Sequence, residues 1–294
     1  MPNLKAIRSR IRSVQSTQKI TRAMRLVAAA KVRRAQMRVQ AARPFTKAVV
    51  KILREVVAEV SPSDLQDLVL LQRREVKKVA LIVLSSDRGL CGGYNGTVLR
   101  EALSRIQTLK AEGKEVGLIT IGLKAATFFK GVQIKKYHSY TLLPAIPTVE
   151  EAKLISEFAC ELYTKREVDA IEIIGTDFVS MLRSEVVNTK YLPVHMPSAE
   201  TPERGLHPIR LFEPSVIDVL EKELLPKYVQ NVIYQALLEA AASELAARMN
   251  AMSNASTNAR ELINSLTLIY NKARQAAITQ ELLEIVGGAE ALKG

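Results

Sequence analysis

Residues 240–259 read AAASELAARMNAMSNASTNA. The stretch lies inside a span that holds neither glycine nor proline between Pro226 and Gly287. About 60 uninterrupted residues correspond to about 90 Å of helix at 1.5 Å per residue, and few globular helices reach that length. Leu238, Ala242, Leu245, Met249, Met252, Ser256, Ala259, Ile263, Leu266, Tyr270 and Ala273 follow alternating steps of four and three. That is a heptad seam, and a seam requires a partner helix. Its Ala, Ser and Met side chains suit a close, slender two-helix pair. Upstream, Ser215 opens a short helical turn and Pro226 suits a first helical position.

The partner is found at the other end of the chain. Leu4, Ile7, Ile11 and Val14 recur at helical spacing, and after a polar interval Met24, Val27, Ala28, Val32, Ala35 and Val39 continue the stripe. Pro44 predicts a kink or local interruption, because it removes a backbone donor. No carboxylate occurs before Glu55, and the first 54 residues carry 15 Lys and Arg. The chain as a whole has 42 basic and 30 acidic side chains, so the excess positive charge belongs to this segment. A one-signed cationic helix steers toward acidic surfaces. An Arg-rich, acid-free amphipathic N-terminus is also the composition of an organellar transit peptide, but the periodicity here passes typical presequence length without a cleavage boundary. No apolar run approaches a membrane span, so the reading is of a soluble or peripheral protein.

Between the helices the pattern changes to alternation. Val79–Leu84, Val116–Ile121, Val132–Tyr137 and Val168–Ile174 read as strands, and Val179–Tyr191 as one more. Thr97–Lys110, Leu123–Phe129 and Glu150–Tyr163 read as helices. This order predicts an α/β layer with a mainly parallel sheet. The expected organisation is an N-terminal coiled-coil helix over 1–60, an α/β body over 75–192, a Pro-rich linker over 193–214 and a C-terminal coiled-coil helix over 215–286. The fold class is α/β, with a long antiparallel coiled coil of the terminal helices and an inserted Rossmann-like domain.

Ser85 to Gly96 is glycine-rich and sits where a nucleotide loop would. It lacks the Lys followed by Ser or Thr of a phosphate cradle, and it lacks the dinucleotide glycine spacing. A structural turn or a protein-contact loop fits it better. Cys91 and Cys160 form neither a metal pair nor a disulfide framework, which implies a reducing compartment. His138, His195 and His207 are scattered. The residues therefore give no catalytic set, no metal site and no cofactor.

Three segments carry a family resemblance: Lys19-Ile20-Thr21-Arg22-Ala23-Met24 with Val27-Ala28-Ala29-Ala30-Lys31, Ser86-Asp87-Arg88-Gly89-Leu90-Cys91-Gly92-Gly93-Tyr94-Asn95, and Tyr270 to Glu281. In this order the chain resembles the gamma subunits of F-type ATP synthases, nearly end to end. The resemblance implies a non-catalytic rotor shaft that penetrates a hexamer of alpha and beta subunits. Its body would sit near the c-subunit ring and bind epsilon, and catalysis would reside on beta.

The resemblance also implies contact residues. Arg274, Gln275, Thr279 and Glu281 match positions that engage a beta-subunit catch loop. Met24 and Arg248 match positions at the boundary between helix and hexamer, and the loop with Arg88 and Cys91 would face the acidic lever region of beta. Membrane association would run only through the Fo sector, on the cytoplasmic face of a bacterial inner membrane or the stromal face of a thylakoid. Plastid members carry a redox-active cysteine pair after the α/β body; Leu192 to Pro214 is short and has no Cys. The competing reading, a basic coiled coil that binds nucleic acid, lacks an aromatic stacking platform before Phe45.

Overall fold

The computed structural model describes residues 4–58, 60–61, 64–65, 68–195 and 215–291. Most of the expected Pro-rich linker, 196–214, lies outside the described residues. The chain divides into two compact units, Ala30–Ala247 and a second built from Met1–Ala29 with Arg248–Gly294.

Two long helices provide the frame. The first, α1, runs from Leu4 to Ala58 and the last, α6, from Leu225 to Ala291. Pro44 lies inside α1 without interrupting it, so of the expected kink or interruption the interruption is absent. Its ring is exposed while Val39, Val49 and Leu53 are buried on the same helix. Burying side chains of that size stabilises by about 1.5–3 kcal/mol each, enough to offset one lost backbone bond. Pro226 is not a first helical position either. The helical path begins at Ser215, whose Oγ accepts from Asp218 N at 3.1 Å and caps α5, Val216–Val219. A π-helical turn, Leu220–Leu224, then leads into α6, with Leu225 N donating to Leu220 O. The wider turn lies just ahead of the proline, where the regular ladder must lose a donor.

The larger unit contains a five-stranded sheet. Its strands are β1 (Lys78–Leu84), β2 (Glu115–Ile121), β3 (Lys135–Tyr140), β4 (Ala170–Phe178) and β5 (Ser184–Leu192), in the order β3-β2-β1-β4-β5. All pairings are parallel except β4 with β5, which is antiparallel. Strands β3, β4 and β5 have boundaries that differ from the sequence reading: β3 ends at Tyr140, and β4 runs from Ala170 to Phe178 where Val168–Ile174 was expected. Val132 ends a 3-10 turn, so β3 begins three residues later than expected. Val179 to Arg183 turns between β4 and β5, closed by Ser180 N to Arg183 O at 2.9 Å.

Strand alternation sorts the core into two faces. Ala80, Ile82 and Leu84 pack on one side with Ile155, Ala159 and Tyr163 of α4 (Val149–Thr164), with Leu53 and Val56 of α1, and with Val229, Ile233 and Leu237 of α6. Val79, Leu81 and Val83 pack on the other with Val98, Ala102 and Ile106 of α2 (Tyr94–Ala111). Both faces are covered, which is why the central strands read as unbroken apolar runs. A Cβ at Gly117 on β2 would lie 2.1 Å from the Tyr137 ring, which would have to move to admit it.

Within this unit α1 and α6 pair antiparallel. Arg43 bonds to Glu239, Thr46 Oγ1 donates to Gln235 Oε1 at 3.4 Å, and Asn231 Nδ2 donates to Thr46 Oγ1 at 2.9 Å. Val32, Ala35 and Val39 meet Leu238, Ala242, Leu245 and Ala246 in one apolar cluster. In the second unit the same seam continues on both segments. Met252, Ala259 and Leu266 are buried, with Ser256, Ile263, Tyr270 and Ala273 partly so. On α1, Leu4, Ile7, Ile11 and Val14 are half-buried as expected. Val27, however, is 57% exposed. The seam passes instead through the polar interval: Thr21 is buried, Gln18 is half-buried, and Gln18 Nε2 reaches Ser256 O at 3.5 Å.

Candidate partner-contact surfaces

The glycine-rich loop leaves the C-terminal end of β1 and enters α2, and its polar groups are spent inside the fold. Ser85 Oγ donates to Ile121 O and accepts from Ala125 N, both at 2.9 Å. Asn95 Oδ1 accepts from Ser86 N at 3.0 Å, while Asn95 Nδ2 donates to Ser86 Oγ at 2.8 Å and to Cys91 Sγ at 3.1 Å. Asp87 Oδ1 accepts from Leu123 N at 2.9 Å and Leu142 N at 3.1 Å. A carboxylate therefore occupies the start of α3 (Leu123–Phe128), the place where a phosphate would seek backbone donors. Gly122, with φ of 92° and Ser85 O only 2.4 Å from a built Cβ, brings β2 and this loop together.

This loop presents some of the expected residues and hides another. Arg88 is exposed, whereas Cys91 is buried at 2% exposure. Leu90, in a left-handed conformation with φ of 64°, is 63% exposed beside Arg88. An exposed leucine beside an arginine was not singled out from the sequence, because nothing local shows which loop side chains turn outward. Tyr94 behind the loop is buried, and burial pushes its hydroxyl well above the usual value, with Glu244 adding to the effect.

The remaining expected residues lie on the two long helices. Met24 on α1 and Arg248 on α6 are half-buried. Arg274, Gln275, Thr279 and Glu281 are exposed, off the half-buried line of Tyr270, Ala273 and Ala277. Thr279 Oγ1 donates to Gln275 O at 3.0 Å, one turn back, which fixes its rotamer without a tertiary partner. Leu282, Leu283, Ile285 and Val286 continue the exposed helix with apolar side chains, 57–68% exposed. The loop residues belong to the larger unit, and Met24, Arg248, Arg274, Gln275, Thr279 and Glu281 to the other. Among the described residues no group of three His, Cys, Asp or Glu is placed to hold a metal. No helix among them is long and apolar enough to cross a membrane.

An antiparallel helical pair with a small-residue seam and an inserted, doubly covered α/β body defines the class of a helical stalk subunit. The family model described as ATP synthase matches residues 3–292. The ATP synthase gamma chain of Nostoc sp. is 48% identical, covering 99% of this chain and 100% of that one. That of Thermosynechococcus vestitus is 46% identical with full coverage of both. Among solved structures, the central stalk and c-ring of the Tetrahymena thermophila mitochondrial ATP synthase includes a chain of similar fold. It has a TM-score of 0.60 at 25% identity and covers 81% of this chain and 99% of that one. A chain of the Euglena gracilis mitochondrial enzyme shares the fold with a TM-score of 0.64 at 17% identity, covering 98% and 94%. The chain belongs to the ATP synthase gamma-chain family. It is a non-catalytic subunit of that enzyme, and the nucleic-acid reading has no support.

Proposed function

We propose that the chain is the central-stalk rotor subunit that couples ion-driven rotation of the c ring to conformational changes at catalytic sites on beta subunits. The observation that carries this reading is the end-to-end match to gamma chains, together with the antiparallel helix pair. In this reading residues 1–60 and 215–286 supply the shaft, 75–192 the body and 193–214 the link between them. The alpha and beta hexamer, epsilon and the c ring are the partners. The protein is peripheral, held at the membrane through the Fo sector, on the cytoplasmic face of a bacterial membrane or the stromal face of a thylakoid.

A rotor must transmit torque through contacts that are strong but exchangeable. Exposed Arg274 suits that role, because a guanidinium can grip a carboxylate through two parallel hydrogen bonds. Arg274, Gln275, Thr279 and Glu281 would meet the beta catch loop, Met24 and Arg248 the rim of the hexamer, and the loop of Arg88 and Cys91 the lever region. Buried Cys91 would act there by shaping the loop and not by touching the partner. The test is affinity purification of the tagged chain at native expression: alpha, beta and epsilon should co-elute in fixed stoichiometry. Recovery of the folded chain without them would overturn the proposal.

A further inference from the structure

Arg73 lines two cavities in the larger unit, and among the described residues the cations of each lining outnumber its carboxylates. The first, about 250 Å³, lies where β1 and β4 begin and β5 ends. Its lining brings together Arg73, Arg74, Arg105, Lys114 and Lys190 against one carboxylate, Glu172. That carboxylate is already taken: Arg105 Nε and Nη2 bind its two oxygens at 2.8 and 2.7 Å. The second cavity, about 670 Å³, shares Arg73 and Arg74 and adds Arg166. Among the described residues no carboxylate lines it, and Val57, Leu65, Leu71 and Val194 form an apolar wall.

The cations are not equivalent. Arg74 is held within the fold, with Nη2 donating to Tyr163 O at 2.7 Å and Val168 O at 2.6 Å, and with Nε paired by charge to Asp169 Oδ1 at 3.3 Å but making no hydrogen bond. Lys114 pairs with Glu112. Arg73 and Lys190 are exposed, and neither has an ion-pair partner among the described residues. Like charges lining one cavity repel unless an anion sits between them. A guanidinium fork beside an ammonium is the donor set for a tetrahedral oxyanion.

We propose that Arg73 and Lys190 form a binding site for a phosphate group, either free phosphate or the headgroup of a phospholipid whose acyl chain lies along the apolar wall. The full 294-residue chain is titrated calorimetrically with inorganic phosphate and separately with soluble dihexanoyl phosphatidic acid. Binding of phosphate alone identifies the free anion; binding of the lipid only, or much more tightly, identifies the headgroup. In either case the double variant Arg73→Gln, Lys190→Gln should weaken binding about a hundredfold or more, the loss of two charge-assisted contacts. A charge-matched control, Arg8→Gln with Arg12→Gln on exposed α1 positions, should not. Arg73→Lys, which keeps the charge without the fork, should retain part of the affinity.

Equal loss in the control, or no binding of either probe, overturns the site. In the unmodified chain, whichever probe binds should also protect Arg73 from phenylglyoxal more than it protects Arg8, as read by peptide mass. Equal protection likewise rejects the proposal.

Discussion

Arg43 Nη2 lies 3.0 Å from Glu239 Oε1, tying α1 to α6 where β4 ends. Glu239 is the buried member, with its side chain 6% exposed against 50% for Arg43. Its other oxygen accepts from Phe178 N at 2.9 Å, and Gln235 Nε2 adds a bond at 2.8 Å. One carboxylate thus binds both helices and the sheet.

Replacing Glu239 by Ala leaves the buried Phe178 N–H without its acceptor, and the expected loss is about 1–3 kcal/mol. Glu239→Gln keeps an acceptor oxygen of the same reach and should lose distinctly less. Urea denaturation of the two variants measures the difference. Equal losses would show that charge, and not the hydrogen bond to Phe178, carries the stability.

Leu266 is 8% exposed on the seam and Leu268, two residues on, is 72% exposed. Leu266→Asp places a charge among apolar side chains and should cost several kcal/mol. Leu268→Asp should stay within about 0.5 kcal/mol, as surface changes do. Thermal melts of the isolated chain followed by circular dichroism check this; similar melting temperatures for the two variants would disprove the seam assignment.

Glu172 predicts a pH dependence. Burial works against its ionised form, but the hydrogen bonds from Arg105 and Asn188 outweigh burial and hold the carboxyl below its usual range. A carboxyl depressed by folding contributes stability above its unfolded value, and that contribution fades as pH falls through the folded value. Glu172→Gln should therefore be less stable than the parent at neutral pH, with the gap closing below about pH 4. A gap that is constant from neutral to acid pH would assign the loss to packing.

Arg274 is exposed and off the seam, so Arg274→Ala should leave the fold and its melting temperature unchanged. In the assembled enzyme it should weaken the rotor's grip by about 1.5–3 kcal/mol, the worth of a hydrogen bond to a charged group. The expected phenotype is a complete complex with reduced ATP turnover or impaired ion pumping, partly rescued by Lys. Parental rates of both would make Arg274 a bystander.

Much of the architecture was legible because it is written in local periodicity. The steps of four and three from Leu238 to Ala273 mark the residues that turn inward, and the apolar runs of β1, β2 and β4 announce a sheet covered on both faces. The charge asymmetry and the three family segments needed no coordinates. Gln18 and Thr21 escaped, since polar side chains carry no apolar signal even when the helical phase places them on the seam.

What the sequence alone determined is the set of elements, their periodicity and the family. Only the tertiary structure decided which polar groups meet: Asp87 on the amides of Leu123 and Leu142, Glu239 on Arg43 and Phe178, and Arg73 in cavities whose cations outnumber the carboxylates among the described residues. Periodicity is a property of neighbours along the chain, legible a few residues at a time. These hydrogen bonds and ion pairs join residues tens to hundreds of positions apart, and only the folded chain sets the ångström-scale distances on which they depend.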